Sequence, residues 1–194
     1  MFTTRDFARL ANVSIAAASK RLARMRQKNR SLVQLTRGIW ANTRHPQFNS
    51  MACVPVLLGS EQGYISFLSA LHIHGAISQI PAVVQVATTG HTRKVRTPVG
   101  GFDFLQLKSD MFAQGIEWSD SPQPYRIATV EKALLDVFYI STRKNRRFAK
   151  LPELNLEETS FNFRRYKSLL KHLKLPPQIF SAMQTKASAI VESR

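Results

Sequence analysis

Three observations predict an α+β chain, with a small N-terminal head followed by a larger mixed α/β domain that has a small sheet and several helices. Apolar residues recur at helical spacing near residues 15–25, 130–142 and 161–173. Short β-branched runs bounded by turn residues lie at 32–41, 82–88 and 102–107. Charge also changes in blocks along the 194 residues, whose net charge is +16. Residues 1–50 hold ten Lys/Arg and one acid, residues 51–142 six and seven, and residues 143–194 twelve and four. Two basic ends flank a neutral centre, a layout that favours a polyanionic partner, because each neutralised phosphate releases counterions.

The head begins TRDFARLANVSIAAASKRLARMRQKNRSLVQLTRGIW, residues 4–40. Ala8 is small where a first helix would meet a second. Asn12 stands where the intervening turn needs a residue tolerant of positive φ. Val13 is expected to be the buried residue of that turn, and Ser14 an N-cap. Ala18, Leu22 and Met25 then form one apolar stripe, while Ala16, Lys20, Ala23, Arg24 and Gln27 give the opposite side small residues and cations. Leu32 to Leu35 and Ile39 to Ala41 are β-prone runs around Thr36-Arg37-Gly38, which reads as a hairpin. A hairpin directly after such a helix makes the unit a winged helix-turn-helix. Ser14, Ile15, Ala16, Ser19, Lys20 and Arg24 would line the major groove, with Arg37 at the wing tip on a phosphate or the minor groove. The plain alternative is a helical hairpin whose cations are a solvated face.

A polar linker runs from Asn42 to Pro55, dividing the chain into a head of residues 1–45 and a domain of residues 46–194. Residues 57–81 suggest a mostly buried helix carrying Ile65, Leu68, Leu71 and Ile73, with Tyr64 and Ser66 at its start and Gly75 ending it. Residues 82–88 read as a strand buried on both faces. Residues 89–94 form a polar cationic loop, 97–101 a turn and 102–107 a second strand. Residues 109–124 are irregular, with Trp118 as an anchor, and 125–128 are extended. Thr129 caps a helix reaching about residue 142. The cationic loop of Arg143, Lys144, Arg146 and Arg147 follows and offers further phosphate contacts. Residues 161–173 form an amphipathic helix with Phe163, Tyr166, Leu169, Leu170 and Leu173 on one side. Pro176 and Pro177 stop it, and a weaker helix covers 178–191.

The sequence gives no reason to expect an enzyme, a metal or a cofactor. Cys53 is the only cysteine, which excludes an intramolecular disulfide and a Cys-based zinc cluster. MFTTRDF lacks an apolar signal region, and no apolar run approaches the roughly 20 residues of a membrane span, so a cytoplasmic setting is expected. His72 and His74, at i and i+2, project from different sides of a helix and read as structural, one of them satisfied by buried backbone. Glu131 and Asp136 lie about 140° apart on a helix, poorly placed for paired-carboxylate chemistry. Glu131 with Lys132 suggests a structural ion pair. Residues 88–94 lack the glycine spacing of a phosphate-binding loop. An enzyme acting on nucleic acid would need an acidic cluster from Asp103, Asp110, Glu117 and Asp120, yet no nuclease-like run surrounds them.

The ordered segments LTRGIW, GYISFLSALHIHGAISQIP, VQVATTGHTR, TPVGGFDF and IATVEKALLDVFYISTRKNRRFAKLPEL together resemble the AbiEi-type family of antitoxins and transcriptional regulators, from abortive-infection (type IV) toxin-antitoxin systems of phage defence. The resemblance covers roughly residues 2–165; the last thirty match less clearly. It implies a winged helix that binds repeats in the operon's own promoter and represses it. It also implies a larger domain that counteracts a nucleotidyltransferase-like toxin, without a stable complex. Copies that are monomeric in solution would load cooperatively on repeated sites of double-stranded DNA. The alternatives are a stand-alone transcriptional regulator without a toxin partner and a nucleic-acid-processing enzyme with a DNA-targeting head.

Overall fold

The computed structural model of the chain describes residues 1–143, 148 and 150–192. Its architecture is mixed α and β, with two sheets and seven helices among those residues. The N-terminal part comprises β1 (Phe2–Thr3), α1 (Thr4–Leu10), α2 (Ile15–Lys28), β2 (Leu32–Thr36) and β3 (Ile39–Asn42). These strands form an antiparallel sheet in the order β1-β3-β2. Alternation along the hairpin sends its side chains to two different cores. Leu32 and Trp40 pack with Leu22, Phe2 and Phe7 in a small core of the head. Leu35 and Ala41, from the opposite face, belong to the main core, and Val33 and Ile39 pack against it.

Only the first half of the expected linker, residues 43–49, is turns and loop; its second half is structured and partly buried. Asn49 accepts a hydrogen bond from the Met51 N–H and opens a 3-10 turn, Ser50–Cys53, which leads directly into α3 (Val54–Leu58). Ala52, Cys53 and Val54 are buried in the main core. Pro55 falls in the first turn of α3, where its missing N–H costs nothing.

Six strands form the second sheet, in the order β6-β7-β5-β4-β9-β8, which is larger than the small sheet expected. They are β4 (Gly63–Ile65), β5 (Val84–Thr88), β6 (Arg93–Thr97), β7 (Gly100–Gln106), β8 (Ile116–Trp118) and β9 (Arg126–Ala128). Pairings alternate along the sheet: β5 with β7 and β4 with β9 are parallel, and the other three are antiparallel. Two predicted elements change character here. Ile65 lies in β4, so the helix, α4 (Phe67–Ile73), starts two residues later. Part of the cationic loop is strand β6, whose alternating burial turns Arg93 and Val95 inward and Lys94 and Arg96 outward. The irregular stretch contains a 3-10 turn, Ser109–Phe112, and β8. Gly75, at φ 74°, ends α4 as expected, and the Ala76 N–H closes back on the Leu71 carbonyl at 2.8 Å.

α5 (Val130–Ser141) is the centre of the main core, with every residue from Val130 to Ile140 buried. A helix buried on all sides must be enclosed by other elements; α5 touches α4, β9, α6 (Phe163–His172) and α7 (Pro177–Glu192). Thr129 caps it by accepting from the Lys132 N–H, and Asn162 caps α6. Tyr166 and Leu170 are the fully buried residues of α6. No helix among the described residues is long and apolar enough to cross a membrane.

Candidate nucleic-acid interface

The two head helices meet through a turn that sequence reasoning located well. Thr3 caps α1 in a reciprocal box: its hydroxyl accepts from the Asp6 N–H at 3.0 Å, and Asp6 accepts from the Thr3 N–H at 2.8 Å. Those bonds, with the Arg9 and Arg5 charges adding to them, hold the Asp6 carboxyl below its ordinary range. Asn12 has φ 49°, the left-handed conformation the turn requires. Ser14 caps α2 by accepting from the Ala17 N–H at 3.2 Å. Ala8, Ala18 and Leu22 fill the contact between the helices and the hairpin. Two expectations need correction. Val13 is only half-buried, and Met25 is 44% exposed, because the interior stripe of α2 ends at Leu22.

At about 100° per residue, Ala16, Lys20, Ala23, Arg24 and Gln27 share one face of α2, and all five are exposed. Ser14, Ile15 and Ser19 are exposed at its N-terminal half, Ile15 by 54%. Two strands join through Thr36-Arg37-Gly38, with Gly38 at φ 80° and Arg37 exposed at the tip. The hairpin is tied to the start of α1. The Thr4 N–H donates to the Gly38 carbonyl at 2.8 Å, and Trp40 Nε1 donates to Thr4 Oγ1 at 3.0 Å. This closure brings Thr3, Thr4, Arg5, Ile15 and Gly38 around an open cleft of about 330 Å³. The first residue of α2 and the hairpin tip therefore share one side of the head. Arg5, which the sequence did not single out, joins them there. Its place depends on a contact spanning 34 residues, which no local spacing reveals.

The head carries ten cations and one acid, Asp6. All ten head cations are exposed. Among the described residues, none forms a salt bridge with a carboxylate; the two ion pairs found are Arg93–Glu61 and Lys132–Asp136. α6 carries a second such surface, also missed. Arg164, Arg165, Lys167 and Lys171 are exposed on a helix without an acid. Arg164 and Arg165 sit in its first turn, where positive charge opposes the helix dipole. Lys167 and Lys171 are a like-charged i, i+4 pair. Its signal was visible in the run RRYKSLLKH, but reading the helix for its apolar stripe passed over the opposite side. Arg143 lies with its guanidinium 4.9 Å from the Tyr139 ring. Lys144, Arg146 and Arg147 lie outside the described residues.

The other candidates resolve into structural contacts. His74 Nε2 lies 2.8 Å from the Ala128 carbonyl and His72 Nδ1 3.4 Å from that of Ile77. The loop after β5 folds around a carboxylate of the chain itself. Glu61 accepts from Arg93 at 2.7 Å and from the Thr88 hydroxyl at 2.9 Å, and a Cβ at Gly90 would collide with that carboxyl. Burial opposes ionisation of Glu61, yet these bonds and the Arg93 charge leave its carboxyl below the ordinary range. Burial raises the Cys53 thiol to about 11, which leaves it unreactive at neutral pH.

Lys132 pairs with Asp136 one turn later, not with Glu131, which instead accepts from the Asn162 N–H at 2.8 Å. Asp136 also accepts from Tyr64 Oη at 2.9 Å and Ser66 Oγ at 2.7 Å. Burial pushes the Asp136 carboxyl up and the Lys132 ammonium down, while each partner's charge pulls the other back. Trp118 is not an anchor: it is 65% exposed, and the buried aromatic of that stretch is Phe112, with Tyr125 buried just after it.

No family model matches this chain, and no curated protein matches its sequence.

Proposed function

We propose that the protein is a transcriptional repressor that binds repeats in its own promoter through an N-terminal winged helix, and that its larger domain acts as the antitoxin of a nucleotidyltransferase-like toxin. The observation that carries the DNA-binding half is the shared side of the head. There the exposed start of α2 and the tip of the hairpin flank one cleft with Arg5, on a head whose ten exposed cations have no carboxylate partner among the described residues. A helix with a face of small residues and cations fits the major groove, and the hairpin tip beside it reaches the adjoining backbone. Lys20 and Arg24 read base edges or nearby phosphates, Ile15 offers an apolar contact to a thymine methyl, and Arg37 meets the backbone or minor groove. α6 and Arg143 add phosphate contacts without base readout. The antitoxin half rests on the resemblance of residues 2–165 to AbiEi-type proteins, and a single cysteine, Cys53, suits a cytoplasmic setting.

Footprinting of the DNA upstream of its coding sequence tests the first half. Protection of repeated sites, with affinity falling steeply as salt rises, is the expected result. An unprotected promoter would remove the repressor reading. Co-expression with the adjacent toxin tests the second half; failure to restore growth would reduce the reading to a stand-alone regulator.

A further inference from the structure

A second cleft, remote from the cationic head face in composition, lies where α3, β4 and the β8–β9 hairpin meet. Its volume is about 260 Å³, and its lining includes Val54, Pro55, Leu58, Gln62, Trp118 and Arg126. Two features set it apart from an ordinary surface depression. Trp118 is 65% exposed although it has the largest apolar area of any side chain, and it sits on β8, at the edge of the six-stranded sheet. Arg126 is its direct cross-strand partner. Side chains opposite each other in an antiparallel pair project to the same face, so indole and guanidinium stand together over one opening.

Among the described residues, neither group has a charged or stacking partner. Arg126 is half-buried, yet among the described residues no carboxylate pairs with it. Glu61 also borders the cleft, but Arg93 and Thr88 hold its carboxylate. Among the described residues, neither a ring stack nor a cation–π contact covers Trp118. The floor from α3 is aliphatic, and Gln62 brings an amide able both to donate and to accept. An exposed aromatic plane, an aliphatic floor, an amide and an unpaired guanidinium complement a planar heteroaromatic ring that carries an anion.

We propose that this cleft binds a nucleotide, with its base against Trp118 and its phosphate on Arg126. The same chemistry is offered by a free nucleotide and by a nucleotide unit of a single strand. This site is independent of the promoter-reading head.

The chain has two tryptophans, of which Trp40 is 3% exposed, so fluorescence quenching reports Trp118 selectively. The full-length protein is titrated with ATP, GTP, CTP and UTP, with a four-nucleotide single-stranded DNA, and with tripolyphosphate as the base-free control. Saturable quenching by at least one base-containing ligand is expected, and its source follows from whether the free nucleotides or the oligonucleotide saturate first. Calorimetry on Trp118→Leu, which keeps the fold because the side chain is mostly in solvent, should show affinity falling roughly tenfold or more, in line with base–aromatic stacking. Arg126→Gln should weaken binding while leaving quenching at saturation intact. Three results overturn the proposal: no saturable quenching by any base-containing ligand, equal affinity in Trp118→Leu, or tripolyphosphate binding as tightly as the nucleotides. Loss of nucleotide binding in a Lys20→Ala/Arg24→Ala protein would also overturn it, by moving the site to the head.

Discussion

Replacing Asp136 by Ala tests whether the buried polar cluster holds the main domain together. The substitution removes a carboxylate that is fully buried and leaves the Lys132 ammonium, itself 3% exposed, without its counter-charge. Breaking a buried ion pair from one side costs about 3–5 kcal/mol. Tyr64 Oη and Ser66 Oγ lose their acceptor as well, and each orphaned buried hydroxyl adds about 1 kcal/mol or more. Neutralisation of Lys132, whose ammonium burial already disfavours, recovers part of this. A net loss of roughly 4–6 kcal/mol is then a large share of the about 5–15 kcal/mol that stabilises a typical domain. In a chain of this size that lowers Tm by roughly 10–20 °C. Urea denaturation followed by far-UV circular dichroism measures the loss. The double variant Lys132→Met/Asp136→Leu, which removes both charges and keeps similar volume, should be more stable than Asp136→Ala alone. A loss below about 1 kcal/mol for Asp136→Ala, or a double variant less stable than the single one, would refute the reasoning.

In the head, Lys20→Ala and Arg24→Ala should relax preference among operator sequences. Arg37→Ala should weaken all sequences alike and lower the slope of log affinity against log salt by about 1; gel-shift titrations at several salt concentrations separate the two behaviours. For Glu61, whose folded pKa lies below the ordinary 4.5, the stabilising contribution is present above that value and is lost as pH falls through the folded one. Thermal melts should therefore lose stability on acidification below about pH 4.5, and Glu61→Gln should be less stable at neutral pH with a flatter acid limb; an unchanged acid limb would contradict the assignment. A peptide of residues 1–45 should melt without cooperativity, which circular dichroism against temperature would show, and a sharp transition would mean that the head folds by itself.

What was legible in the sequence follows from how local each determinant is. Asn12, Ser14 and the Arg37-Gly38 tip act within a few residues of themselves, and the structure has them in the conformations their chemistry favours. The caps at Thr129 and the stop at Gly75 are local for the same reason. The break between β4 and α4 left no such mark. In Tyr64-Ile65-Ser66-Phe67 no glycine or proline signals a turn, and Phe67 itself takes φ 55°, which for a bulky residue costs about 1–3 kcal/mol. Tertiary contacts offset that cost: Phe67 is fully buried and stacks on Phe148 at 5.5 Å, while Ser66, at the cap position, turns its hydroxyl to Asp136, 70 residues away. β6 was hidden differently. Its inward Arg93 is satisfied by Glu61, 32 residues earlier, so a cation occupies a position where strand patterning leads one to look for an apolar residue. The pairing of Lys132 likewise depended on which side of α5 faced Tyr64 and Ser66, which helical spacing alone left open.

The hairpin of the head also bears on how the proposed DNA-reading face and the larger domain are connected. Its tip stands beside the start of α2, and its two faces serve two cores, Trp40 and Leu32 on one side, Leu35 and Ala41 on the other. A flexible tether between head and domain would need the hairpin's second face to be polar, because an exposed apolar face would cost the burial of Leu35, Ala41, Val33 and Ile39. Instead, after an exposed stretch at Arg44–Gln47, the chain enters the main core at the 3-10 turn, where Ala52 and Cys53 are buried. Displacing the hairpin tip relative to α2 therefore also works against the packing of the larger domain. Close-packed interfaces of this kind respond by discrete rearrangement rather than by continuous bending. If the head binds DNA as proposed, its occupancy would be coupled to the state of the larger domain through the strands β2 and β3, and that coupling would act in both directions.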